Sequence, residues 1–353
     1  MIDQDTIKEV FAIAEQRRAE RRRFIKMAGA AAVATGGASL LAACDANDDD
    51  YQPVPLATPA PTPGPSTGTT DVDVLNFALN LEYLESNYYI QSAFGTTLNS
   101  TLMPGQGTQG TVTGGRKVAF SDPSVASYAR EIAADENEHV VFLRQQLGTS
   151  AVAMPSINID GGANGAFTAA ARAAGIIGAT ETFDPYLNDD TWLLGGMLLS
   201  DVGVTAYKGS ATLIANRTFL EAAAGILAVE AYHSGLIRTL LYSRGLQTPT
   251  IATAANDRSY SDKISDARDA VDGTVTQAGP PQLYADDDQG VSPVTIAGAQ
   301  ASNIVPTDSN GIVFGRTAAK VLNVVYLSKN QTTAGGFFPN GVNGSIRTSA
   351  NNA

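Results

Sequence analysis

The stretch Ala134-Asp135-Glu136-Asn137-Glu138-His139-Val140-Val141-Phe142-Leu143-Arg144-Gln145-Gln146-Leu147-Gly148 holds one of only two histidines in the chain. Glu136 precedes His139 by three residues, and Glu230 precedes the other histidine, His233, at the same spacing. On an α-helix, positions i and i+3 share a face, so each pair aims a carboxylate and an imidazole at one point. Those are the ligand types with which a helical bundle holds iron or manganese between its helices. The chain has eleven glutamates in 353 residues, so both histidines acquiring this neighbour by accident is on the order of one in a thousand.

Composition bounds the rest. Apolar residues make up 44% and charged residues 16%, the balance of a globular chain long enough for a large core. The net charge is −12, and residues 1–43 carry seven basic and five acidic residues, so the acidity lies in the remainder. An acidic body without a basic cluster argues against nucleic acid as a partner. A single cysteine, Cys44, excludes an intrachain disulfide and a thiolate metal cage. No glycine-rich phosphate loop, nucleophile elbow or Cys-His dyad is present.

Residues 1–44 read as an export signal and stand outside the fold. Arg21-Arg22-Arg23-Phe24-Ile25-Lys26 has the form of a twin-arginine motif. The Ala-rich run Met27 to Ala43 follows, too short and too weakly apolar for a confident spanning helix. It ends in Leu41-Ala42-Ala43-Cys44, which resembles a bacterial lipobox, so Cys44 is the expected lipidation site. A plain N-terminal membrane anchor is the alternative. Residues 45–70 are proline-dense, which prevents helix and sheet ladders and predicts a disordered tether. The expected location is the periplasm or cell envelope, with the membrane as partner through the lipid anchor.

Residues 71–245 predict four helices. Helix A spans about Asp71 to Phe94, with Glu82 and Glu85 set among Leu81, Leu84 and Tyr88. Burying a carboxylate is costly without a cation or hydrogen bonds, so an inward Glu82 implies one or the other. Gly105 to Gly115 reads as a loop or a hairpin. Helix B begins at the cap Ser121-Asp122-Pro123 and ends at Gly148. Residues 149–188 form a long crossover containing a short helix near Phe167 to Ala174. Helix C covers about Asp190 to Ala215. Helix D covers about Arg217 to Ser243, closing at Gly245. The whole is all-α, a four-helix bundle with one long crossover.

Here the chain resembles the ferritin-like superfamily, and more narrowly the bacterial and plant ferritin-like domain proteins that include desiccation-related proteins. The resemblance is carried in order by Leu75-Asn76-Phe77-Ala78-Leu79-Asn80-Leu81-Glu82-Tyr83-Leu84-Glu85, Asp135-Glu136-Asn137-Glu138-His139-Val140, Val202-Gly203-Val204-Thr205-Ala206-Tyr207, Glu230-Ala231-Tyr232-His233, and Gly335-Gly336-Phe337-Phe338-Pro339-Asn340-Gly341. It implies a di-metal site with one carboxylate each from helices A and C and Glu-x-x-His from B and D. Carried over, Glu82, Glu136, His139, Glu230 and His233 hold iron or manganese, and Tyr89 tunes the metal or relays electrons. Helix C departs: with Tyr207 matched to Tyr89, the ligand slot falls on Ser200, and the neighbouring Asp201 lies about 100° around the helix. A dinuclear site, a single metal and a metal-free relic all stay open. So do three functions: a metal-dependent oxidoreductase or iron-handling protein acting on oxygen or peroxide, a non-catalytic desiccation or stress envelope protein, and a binding module presented on a tether. A homo-oligomer formed through the bundle is a further open expectation.

Residues 246–353 predict a C-terminal extension packing on the bundle. A short helix is expected within Asp257 to Val271 and a fifth packing helix within Ile312 to Leu327. Phe337 and Phe338 are expected to pack onto the bundle end, and Asp286-Asp287-Asp288 to form a solvated acidic loop.

Overall fold

The computed structural model describes residues 69–247, 259–273 and 287–352. The export signal, Cys44, the tether before residue 69 and Asp286 lie outside these residues. Among the described residues, no helix is long and apolar enough to cross a membrane. The all-α expectation holds: among the described residues, seven α-helices carry the fold, and the strands are three-residue pairs.

Helix α1 (Asp71–Phe94) starts at a capping box between Thr70 and Asp73 and stops at Gly95, whose φ of 74° is left-handed. Every residue from Val74 to Ala93 is buried. Such a helix must satisfy its own polar side chains. Tyr83 Oη donates to the Leu102 and Val152 carbonyls, Asn80 Nδ2 to the Asn343 carbonyl, and Tyr88 Oη to the Trp192 carbonyl. Helix α2 (Pro123–Leu147) has Asp122 as its cap and proline in its first turn.

The crossover is more ordered than a loop. Strand β1 (Val112–Gly114) pairs in parallel with β2 (Ile157–Ile159), so the segment after α1 joins the crossover and makes no local hairpin. Helix α3 (Ala166–Ala173) follows and presses Phe167 against Tyr88. Helix α4 (Asp189–Ser210) is capped by Asn188 and buried along most of its length. Helix α5 (Arg217–Gln247) runs through Gly245 rather than ending there. Arg244, paired with Asp122 and Asp190, pins this last turn to the starts of α2 and α4.

Helices α1 and α2 form one packed pair, and α4 and α5 the other; α1 faces α4 and α2 faces α5. The tail contributes α6 (Tyr260–Asp272), the hairpin of β3 (Val294–Ile296) and β4 (Ala299–Ala301), and α7 (Ala318–Tyr326). Helix α7 is shorter than its apolar period suggests, because Thr317 caps it late and Phe314 instead covers the Arg316 guanidinium at 4.7 Å. Phe337 and Phe338 are buried, Phe337 edge-on to Phe167 and Phe338 to Tyr326.

The acidic-loop expectation is corrected at Asp288, which is buried. It accepts 2.6 Å hydrogen bonds from Arg268 and a 2.5 Å bond from Arg316. Arg316 also pairs with Asp272, and Arg268 and Arg238 both reach Asp201. This network joins α4, α5 and α6 to the loops that follow.

Candidate metal centre

Each Glu-x-x-His pair delivers a carboxylate to the bundle axis because three residues advance the chain by nearly one turn. Glu136 and His139 arrive from α2, Glu230 and His233 from α5, and Glu82 from α1; all are buried. Ligand atoms of Glu82, Glu136, His139 and Glu230 lie within 4.8 Å of one another. His139 Nδ1 lies 3.2 Å from Glu82 Oε2, 3.7 Å from Glu230 Oε1 and 3.8 Å from Glu136 Oε2. One imidazole nitrogen thus faces carboxylates from three helices. His233 stands behind this group, with Nδ1 3.0 Å from Glu136 Oε1 and Nε2 3.0 Å from Asp135 Oδ2.

The electrostatics are those of concentrated negative charge out of water. Burial, reinforced by Glu136 and its neighbours, drives the Glu230 carboxyl well above its ordinary pKa. Burial also raises Glu82, despite the opposing charge of His139. Glu136 goes the other way: burial disfavours its charge, but the two histidines beside it prevail and hold it at about 2. His139 loses solvation, yet Glu82 and Glu136 raise it to about 11. The cluster therefore holds protons that a cation would displace.

Three buried carboxylate oxygens, Oε2 of Glu85, Glu136 and Glu230, have no hydrogen-bond partner among the described residues. A stranded acceptor costs about 1–3 kcal/mol, more when charged, and here three of them belong to one convergent group. Carboxylate oxygens gathered around an imidazole nitrogen are a fitting donor set for iron or manganese. The residues present fit a metal.

Residues 70–243 match the model of the ferritin-like domain family. Residues 70–243 are a ferritin-like domain. The chain is 27% identical over 281 residues to a ferritin-like catalase from Nesocodon mauritianus, covering 78% of this chain and 84% of the relative. It is 29% identical over 273 residues to a desiccation-related protein from Craterostigma plantagineum, covering 76% of this chain and 82% of the relative. The desiccation-related resemblance read from the motifs is therefore supported.

Within the ferritin-like domain, two expected site residues are elsewhere. Asp201 is buried but faces the arginine network: Ser234 donates to its Oδ1 at 2.6 Å, and Arg238 and Arg268 take Oδ2 at 2.9 and 3.0 Å. Its oxygens are committed, because the 100° step from Ser200 turns it toward α5 and α6. The Tyr89 hydroxyl meets Ser200 Oγ at 2.6 Å and, among the described residues, makes no hydrogen bond to a carboxylate of the cluster. The tyrosine that does is Tyr207, whose hydroxyl donates to Glu82 Oε1 at 2.5 Å. Burial and Glu82 push the Tyr207 phenol well above its usual pKa, so it stays a donor.

Three contributors escaped sequence reasoning as site residues. Tyr207 was visible only as a motif position. Asp135 orients His233 through Nε2 and gives no signal beyond adjacency to Glu136. Glu85 lies among the cluster charges, and its position three residues after Glu82 was the available clue.

Proposed function

We propose that this ferritin-like domain binds iron or manganese, most readily as a pair of ions, and uses them in oxidative defence by consuming peroxide. The observation that carries the proposal is the convergence of Glu82, Glu136, His139 and Glu230 with stranded oxygens among them. The relative named as a catalase favours peroxide as the substrate class. When bound, such ions supply the electron exchange by which two peroxide molecules become two water molecules and one dioxygen.

The chain's own residues set the conditions. His139 would offer Nδ1 as a ligand, and Glu136, which lies between the two imidazoles, would offer its carboxylate. Tyr207 fixes the Glu82 carboxylate, and Asp135 fixes the His233 ring through its distal nitrogen. Leu81, Leu84, Leu198 and Val202 are buried and line a small cavity with Glu85, so the surroundings of that carboxylate are apolar. Burial and the neighbouring carboxylates raise the Glu230 pKa and so shift its carboxyl toward the protonated form.

Metal analysis of the full chain, beside a His139→Ala/His233→Ala double variant, tests the proposal. About two metal atoms per chain, absent from the variant and accompanied by dioxygen release from peroxide, is the expected result. No metal in either protein after anaerobic ferrous or manganous loading would leave the second reading, a non-catalytic desiccation or stress protein. Ser200, standing where a carboxylate is expected on α4, is the observation in favour of that reading.

We further propose that the protein is exported by the twin-arginine route and tethered through lipid-modified Cys44. Cys44→Ala should shift it from the membrane fraction to the soluble fraction of cells. An unchanged membrane fraction would refute the tether.

A further inference from the structure

Among the hydrogen bonds that cross between α1 and α4, two form a matched pair: Tyr207 to Glu82, and Tyr89 with Ser200. As α1 advances from residue 82 to residue 89, its partner on α4 steps back from residue 207 to residue 200. The helices are antiparallel here, and each bond is the other's mate when α1 and α4 are exchanged. In that exchange Glu82 corresponds to Ser200, Tyr89 to Tyr207, and Glu85 to Gly203.

Helix α1 therefore carries two buried acids at positions where α4 carries none. Gly203 is not merely small. A Cβ added there would lie 2.5 Å from Glu230 Oε2 and 3.0 Å from Glu85 Oε1. The bare backbone of α4 is the space into which both carboxylate ends reach, from α5 and from α1. Glu85 Oε2 is buried without a hydrogen-bond partner, so the side chain is not held there by an internal donor.

From this geometry we infer that Glu85 is a metal ligand, the carboxylate that α4 lacks, supplied from α1 across the gap left by Gly203. It rests on the metal site proposed above and changes its architecture. A bundle of this kind draws one carboxylate from each of two helices and Glu-x-x-His from each of the other two. Here both single carboxylates come from one helix, three residues apart on one face. Ser200 is then the vacated slot, kept in a hydrogen bond to Tyr89, and is no sign of a lost site.

The test is anaerobic ferrous titration of the metal-free full chain, counting bound iron and measuring affinity by chelator competition. Thermal melting of the metal-free proteins checks folding. Wild type is expected to take about two ions. Glu85→Gln, which keeps the shape, should lose one ion or weaken it about tenfold or more. Gly203→Ala pushes only carboxylate ends, so it should melt like wild type without metal yet bind iron more weakly. Adding Ser200→Glu to Glu85→Gln should restore the second ion by returning a carboxylate to α4. Wild-type stoichiometry and affinity in both Glu85→Gln and Gly203→Ala would overturn the assignment while leaving the metal site standing. A wild-type chain that takes no iron would overturn both.

Discussion

The bundle buries charge in two places and treats it in opposite ways. In the arginine network, the guanidiniums of Arg238, Arg268 and Arg316 meet Asp201, Asp272 and Asp288 at 2.5–3.0 Å, and further guanidinium protons go to backbone carbonyls. In the cluster, among the described residues, Glu82, Glu85, Glu136 and Glu230 meet two imidazoles and the Tyr207 hydroxyl, and three oxygens have no partner. Asp201 and Glu85 are both buried acids beside the same helix, yet one is matched and the other is not. A matched buried charge holds structure together. An unmatched one marks a place built for something else to bind.

The comparison predicts opposite responses to substitution. Arg268→Met removes a buried partner from Asp201 and Asp288 and should destabilise the protein by about 3–5 kcal/mol in denaturant unfolding. A cost under 1 kcal/mol would show that the network is not structural. The cluster should gain from a ligand instead. Ferrous or manganous ion at 100 times its Kd should stabilise wild type by about 2.7 kcal/mol, a gain absent from His139→Ala. Equal melting shifts in both proteins would place binding outside the cluster.

Acidity sharpens the contrast further. His139 at about 11 holds a proton at neutral pH, the raised pKa of Glu230 shifts it toward its protonated form, and protons compete with metal. Metal affinity should therefore rise between pH 6 and 8, with measurable proton release on binding; a flat profile would contradict the cluster's charge state. The network titrates in the other direction. Burial opposes ionisation of Asp288, but Arg268 and Arg316 outweigh it and depress its pKa. Its contribution to stability is then present above the ordinary carboxylate pKa and is lost as pH falls through the depressed value. Asp288→Asn should remove that part of the acid dependence. The smallest effect belongs to Tyr207→Phe, which deletes one hydrogen bond to Glu82. It should weaken metal binding by about tenfold at most, since such a bond is worth ~1 kcal/mol. A complete loss of metal would make Tyr207 a ligand in its own right.

What the sequence determined is what local geometry determines. The caps Thr70, Asp122 and Asn188 start three bundle helices, and Gly95 and Gly148 close two of them. The i, i+3 spacing alone puts Glu136 with His139 and Glu230 with His233, because helix rise and turn are fixed by backbone hydrogen bonds. Where the chain had to be read across helices, residue spacing was silent. Glu85 and Asp201 both sit in apolar helix stretches, and their fates differ because each helix is rotated by partners far along the chain. Arg238 and Arg268, 37 and 67 residues after Asp201, draw it away from the centre. Gly245 looked like a stop but stayed helical, because Arg244 ties that turn to Asp122 and Asp190. Tertiary packing alone decided which buried acids would find a cation within the chain and which would face one another.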